Sequence, residues 1–299
     1  MTTIGGLGET ELLRQILPYL ATSGYEVVAG ADDAAVWRSI DEESPVDYVV
    51  ASCDTAVEGV HFDFEWMGAE DVGHRALALA LGDLAAKGAT PRYALVSLAV
   101  PRSWPLDRVV GMYRGMHRLA TRLDLKIVGG DTAAIKGPAV LTLTVFGDVP
   151  QIPIARAQVQ PGWVVAVTGP LGAGAVALRE RRSLIFDPKL DEGKLLNQAG
   201  LCCGDVSDGL VREMEKFGAA SGAGSVIRAA DVPAAPGATV EDALTSGEEV
   251  ELVCVGPEDK VLNAGLRPFG VMTAGPKVRA VTADGSPLEL KLTGYDHFA

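Results

Sequence analysis

Aspartate recurs in this chain beside glycine, alanine, serine or threonine, at or near the ends of apolar stretches. Asp32 and Asp33 lie in GADDAAV (30–36), Asp54 in ASCDTAVEGVHF (51–62), Asp83 in LGDLAAKGA (81–89), Asp131 in IVGGDTAA (127–134), and Asp205 and Asp208 in CCGDVSDG (202–209). Asp83 is the most informative, being the only charged residue between Arg75 and Lys87. A lone buried carboxylate is costly, so it must be hydrogen-bonded, protonated or bound to a cation. Ala76, Ala80 and Asp83 share a helical face of small residues that admits close approach, and Ser52 points to the same side of a strand as Asp54. Taken singly, each site has a structural reading: Asp83 capping a neighbouring turn, GGD a tight turn, Asp32–Asp33 a solvated loop, Ser207 or Asp208 an N-cap ahead of LVREM. Taken together, the carboxylates could not gather without cations, since two unit charges about 4 Å apart repel by about 4 kcal/mol at an effective dielectric near 20. Oxygen-only donors favour Mg²⁺ or Mn²⁺ over zinc, and Mg²⁺ so held completes its shell with water and phosphates.

The elements that must position these residues follow from hydrophobic period. ETELLRQILPYLA (9–21) predicts a short amphipathic helix with Leu12, Ile16 and Leu20 on one face. VDYVVAS (46–52) and RYALVSLAV (92–100) read as strands. EDVGHRALALALGDLAAK (70–87) is apolar on most sides and reads as a buried helix. LDRVVGMYRGMHRLATRL (106–123) has helical spacing, and LKIVGG and AVLTLTVFG complete a first half of strands and helices. Pro150, Pro153 and Pro161 punctuate a linker over 149–162. Beyond it, WVVAVTG and EEVELVCVG read as strands, AGAVALRERR and LVREMEKFGAASG as helices, and 228–247 as loop with short elements. The expectation is two domains, 1–149 and 150–299, in an α+β chain.

A length of 299 residues suits two domains of roughly 100–200 residues each. The formal net charge of −13 argues against nucleic-acid binding, which draws on cationic contacts to phosphate. No uninterrupted apolar run reaches the roughly 18 residues of a membrane span. The start, MTTIGGLGETELLRQ, lacks the basic-then-apolar order of a secretory signal, and four cysteines without CxxC spacing suit a reducing cytoplasm.

In order along the chain, GADDAAV, SCDTAVEGVHF, LGDLAAKGATP, IVGGDTAA, DVSDGL, SGEEVEL and the terminal GYDHF resemble the motif series of the thiamine-monophosphate kinases. That family lies in the superfamily of aminoimidazole-ribonucleotide synthetase, selenophosphate synthetase and the hydrogenase-maturation protein. The matches run from about residue 30 to residue 298; each motif alone is weak and the ordered set is specific. EGVHF and GYDHF point to the kinases among these relatives.

The resemblance implies an N-terminal α/β domain whose strands form a β-barrel across a homodimer, followed by a C-terminal α+β domain. It implies ATP and thiamine monophosphate as substrates and several Mg²⁺ ions. Asp32, Ser52, Cys53, Asp54, Asp83, Asp131, Asp205 and Asp208 would hold metal, Cys53 standing where the family usually has Thr and so acting through its backbone. Gly130, Asp131, Arg156 and Ser207 would contact ATP, and His61, Glu248 and Tyr295 the thiamine phosphate. The chain departs from the pattern at Ala31 in place of Gly, at GEEVEL in place of GEDYEL, and in lacking an Arg-Pro stretch before CCGDVSDG, while residues 250–280 are short. The implied reaction needs no general base, because a phosphate monoester with a second pKa near 6 is largely deprotonated at neutral pH. VTGPLGAGAVAL (167–178) reads as a plain turn rather than a phosphate cradle, and Cys202 and Cys203 as small buried hydrophobes. Two other readings stay open: an aminoimidazole-ribonucleotide synthetase-like enzyme, and a non-catalytic ATP·Mg-binding homologue.

Overall fold

Strands with a period of two lose one face to a core, whereas a helix apolar all round must be covered on every side. The computed structural model meets both demands by laying one helix between two sheets. It describes residues 9–16, 26–28, 32–39, 48–291 and 294–298. The last part, 17–21, of the helix expected over 9–21 and the Ala31 departure lie outside the described residues.

The order is α1 (Glu9–Ile16), β1 (Glu26–Val28), β2 (Ala35–Arg38), β3 (Tyr48–Val57), α2 (Ala69–Ala86), β4 (Thr90–Pro101), α3 (Leu106–Arg122), β5 (Lys126–Ile135) and β6 (Val140–Val149). There follow β7 (Val164–Val167), α4 (Ala173–Arg179), α5 (Leu190–Gln198), β8 (Cys202–Asp205), α6 (Leu210–Ser221), β9 (Ala223–Arg228), α7 (Val240–Thr245), β10 (Leu252–Gly256), α8 (Glu258–Asn263) and β11 (Gly270–Val281). The first sheet runs β1-β2-β3-β6-β4-β5 and the second β8-β10-β7-β11-β9. Among the strand pairs of the described residues, only β4/β5 and β11/β9 are parallel.

The first sheet buries Val50, Val96, Leu141, Leu143 and Val145 against α2. Leu77, Leu81 and Leu84 of α2 share that core with Leu196, Leu201, Cys203 and Leu252 from the second half of the chain. The far side of the second sheet closes a separate core around Val165, Phe217, Leu244, Val253 and Phe269. The short all-apolar β10 is therefore buried on both faces, as a run without alternation demands. The outer face of the first sheet is not covered: Tyr93, Leu95 and Val128 are exposed there, and β5 is an edge strand.

The sequence reading missed β1, β2, α5, β8, β9, α8 and β11, left α7 within a loop with short elements, and began the 248–256 strand too early. Glu248 takes a left-handed φ of 58° and gives its N–H to Ser207 O at 2.6 Å, so regular pairing starts only at Leu252. No helix among the described residues is long and apolar enough to cross a membrane.

Candidate active site

Side-chain alternation decides which aspartates meet. On β3, Val50 is buried toward α2, so Ser52 and Asp54 project the same way while Cys53 and Thr55 turn outward. Outside, Cys53 Sγ accepts from the Thr144 hydroxyl at 3.4 Å, and Thr55 pairs with Thr142 at 3.0 Å. The Ser52 hydroxyl donates to the Asp83 carboxylate on α2. On β8, Cys203 packs in the α2 core and Cys202 in the other, which sends Asp205 toward α2 as well. Gly82 makes room for it: a Cβ there would stand 2.9 Å from Asp205 Oδ2. Asp33, just before β2, completes the group, and single carboxylate oxygens of Asp33, Asp83 and Asp205 lie within 4.8 Å of one another.

The electrostatics divide the acids in two. Burial pushes the Asp83 and Asp205 carboxyls well above the ordinary carboxylate range, and neighbouring aspartates push them further. Burial and the charge of Asp208 raise Asp54 to about 6. Asp32 behaves in the opposite way. Burial would raise it, but Lys87 and Arg156 hold it below the usual range. Lys87 Nζ bonds Asp32 and stands 3.2 Å from Asp33. The Arg156 guanidinium bonds Asp33 and Glu213, and its backbone N–H donates to Asp32 Oδ2 at 2.8 Å. Lys216, on α6, pairs with Asp208 at 2.8 Å and Glu213 at 3.6 Å. Asp54, Asp83 and Asp205, raised by burial and by like charge, join Asp33 in offering hard oxygen donors, which fits Mg²⁺.

A second group lies beside the first. The His61 and His297 rings are 5.1 Å apart, and Tyr295 meets His297 edge-on at 4.8 Å. His61 Nδ1 accepts from the Val57 N–H at 3.0 Å; burial and His297 hold its pKa below the ordinary value. Tyr295 gives its N–H to Asp208 O at 3.0 Å, tying the C-terminal GYDHF to the DVSDG loop. Arg75, buried on α2, donates to Glu248 at 2.6 Å and to Leu184 O at 2.9 Å, under the Phe186 ring. His61, Tyr295 and, through Arg75, Glu248 are therefore gathered at one end of the acidic group.

Other expected residues sit elsewhere. In the register Asp54, Leu143, Val96 and Gly130 form one row across β3, β6, β4 and β5. Asp131, next to Gly130 on the exposed edge, is thus three strands from Asp54, roughly 14 Å at the usual strand spacing. Gly130 has φ 151°, and a Cβ on it would strike Val96 O at 1.7 Å, so only glycine fits. Arg156 is almost wholly buried, its guanidinium bonded to Asp33 and Glu213. The side chains of Ser207 and Asp208 do not cap α6, whose N-cap is Gly209; Asp208 goes to Lys216 instead. At the glycine loop before α4, the Glu249 carboxylate accepts from the N–H groups of Gly172 and Gly174 at 2.9 and 3.0 Å, so the plain turn is filled from within. Val250 is buried. Cys202 and Cys203 are buried, and none of the four cysteines forms a disulfide.

Sequence reasoning passed over Asp33 as a ligand, and it missed Lys87, Glu213, Lys216, Arg75 and His297. One had a visible signal: Glu213 shares a face with Leu210 and Phe217, an acid where helical period predicts core.

Residues 31–149 match the family model described as AIR synthase related protein, N-terminal domain, which gives the class of that part of the chain. Over 99% of each chain, the fold superposes on AaThiL complexed with AMPPCP and TMP with a TM-score of 0.83 at 23% identity, a likeness of fold. The thiamine-monophosphate kinase of Bacillus subtilis is 29% identical across 98% of this chain and 100% of its own length. That of Rhodopirellula baltica is 32% identical across 77% of each. The chain belongs to the thiamine-monophosphate kinase family.

Proposed function

We propose that the protein transfers the terminal phosphoryl group of ATP to the phosphate of thiamine monophosphate, giving thiamine diphosphate and ADP. The observation that carries this reading is the meeting of Asp33, Asp83 and Asp205 beside the His61, Tyr295 and His297 group, in a chain that matches thiamine-monophosphate kinases along its length. AaThiL, the structural relative, is complexed with AMPPCP and TMP, so one protein of this fold holds both kinds of ligand.

Asp33, Asp54, Asp83, Asp205 and Asp208, with Ser52 orienting Asp83, would hold Mg²⁺. Bound there, Mg²⁺ supplies the positive charge that lets two polyanions approach and align. The remaining work belongs to the chain. His61, His297 and Tyr295 offer an aromatic surface for a heterocycle, and Arg75 fixes Glu248 at its edge. The acceptor oxygen is already ionised at neutral pH, so no side chain has to remove a proton. In-line placement of acceptor and donor is the main demand.

We read 1–149 and 150–299 as two domains, and the chain as a cytoplasmic homodimer in which the first sheets of two copies close a barrel. The uncovered face carrying Tyr93, Leu95 and Val128, together with the open β5 edge, supports this. Asp131 and Gly130 lie on that edge, so in this reading they serve the nucleotide and metal site of the partner copy. The test is incubation of the purified protein with ATP, Mg²⁺ and thiamine monophosphate, with products separated by chromatography. Thiamine diphosphate appearing in step with ADP is the expected result; no thiamine diphosphate at saturating Mg²⁺ and ATP overturns the reading.

A further inference from the structure

Among the described residues, Lys87 is the largest side chain that is fully buried. A buried ammonium persists only when acids surround it. Here it closes a ring of contacts around the Asp32–Asp33 pair, in which Asp33 Oδ2 accepts no hydrogen bond. Lys87 and the Arg156 N–H take the two oxygens of Asp32, while the Arg156 guanidinium and Lys87 face those of Asp33. Cys203 O, 3.4 Å from Nζ, accepts a further bond.

The charge around this ring differs from that next to it. Asp32, Asp33 and Glu213 are met by two cations, Lys87 and Arg156. Asp54, Asp83, Asp205 and Asp208 are met by one, Lys216, which of these four pairs directly with Asp208 alone and is shared with Glu213. Positive charge is needed on the second side, and on the first it is already built in.

We propose that Lys87 is a resident cation for the Asp32–Asp33 pair, standing where a divalent ion would otherwise bind, and that metal loading is confined to the side where Asp33 faces Asp83, Asp205 and Asp54. Asp32 is then an anchor rather than a ligand. Lys87 is a positioning residue: it turns Asp33 so that one carboxylate oxygen joins the others. This rests on the metal reading above, and the test separates the two.

The experiment is Mn²⁺ binding to the full-length protein, followed by equilibrium dialysis and by the electron paramagnetic resonance of the unbound ion. Asp83→Asn should weaken Mn²⁺ binding at least about tenfold, while Asp32→Asn stays within about twofold of the parent. Lys87→Met should bind one Mn²⁺ more per chain, and its lowered metal-free melting temperature should recover as Mn²⁺ is added. Weakening by Asp32→Asn comparable to that by Asp83→Asn would overturn the proposal, as would a folded Lys87→Met with unchanged stoichiometry. If Asp83→Asn leaves Mn²⁺ binding intact, the metal reading itself has failed. The Asp32→Asn and Asp83→Asn measurements decide the matter whether or not Lys87→Met folds.

Discussion

Asp32 and Asp83 are both buried aspartates on opposite sides of one acidic group, and burial alone would raise both. Asp32 lies between Lys87 and Arg156, whose charge outweighs its desolvation and keeps it ionised. Asp83 has Asp205, Asp54 and Asp33 for neighbours and only the Ser52 hydroxyl to favour its charged form. Where burial works against the charge of both, the sign of the nearest charge decides whether a carboxylate is a structural anion or a high-affinity site for a proton or a metal. The contrast is useful because the two residues are chemically identical and differ only in company.

The largest effect that sharpens this contrast is on turnover. Asp83→Asn should lower kcat at least about a hundredfold with unchanged circular dichroism, by removing a ligand from the un-neutralised side. Near-normal kcat at saturating Mg²⁺ and ATP would break the contrast at its functional end. The second concerns the dimer. Mixed dimers of Asp83→Asn with Asp131→Asn, formed from two inactive parents, should recover about a quarter of parental activity, since half of the dimers carry one intact site. No recovery after verified subunit exchange would return Asp131 to a local turn.

At the other end of the site, His297→Ala should raise the KM for thiamine monophosphate about threefold to tenfold with kcat little changed, as loss of a ring contact without loss of metal. A fall in kcat at constant KM would place His297 among the metal-organising groups instead.

The smallest effect is on metal-free stability. Asp54 is raised to about 6 in the folded chain, against about 3.9 in an unfolded one. Between these values the folded state keeps a proton that the unfolded state has released, so stability falls as pH rises through about 6. Asp83 and Asp205, also raised, act in the same direction. Asp32, being lowered, loses its contribution only as pH falls through the acid range below. Metal-free protein should therefore melt several degrees lower at pH 7.5 than at pH 5.5, and saturating Mg²⁺ should close that gap. A flat metal-free profile in scanning calorimetry would contradict the charge assignment.

Much of this was open to view in the chain. Asp83 stood out because it is the only charged residue between Arg75 and Lys87, and α2 is indeed buried between two sheets. Ser52 and Asp54 share a strand face by simple alternation, and Ser52 does reach Asp83. Lys87 was harder to see. A lysine at a helix C-terminus is ordinarily solvated, and only the arrival of the GADD segment and Arg156 makes it a buried partner. Strands β9 and β11 escaped because their Gly, Ala and Lys content is weak in strand signal; the parallel pairing between them is a long-range contact that no local window contains.

The sequence by itself determined which residues can be charged and which face of each element they occupy, because side-chain direction follows from a period of 2.0 or 3.6 within a single element. It determined the family through an ordered series of short motifs, each encoded locally. Only the tertiary structure decided which acids share a cation. Asp32 and Asp83 come from segments 51 residues apart, as their numbers give, and their partners Arg156 and Asp205 come from the other half of the chain. Coulomb energy depends on distance in space and on local dielectric, and both exist only once α2 is clamped between the sheets.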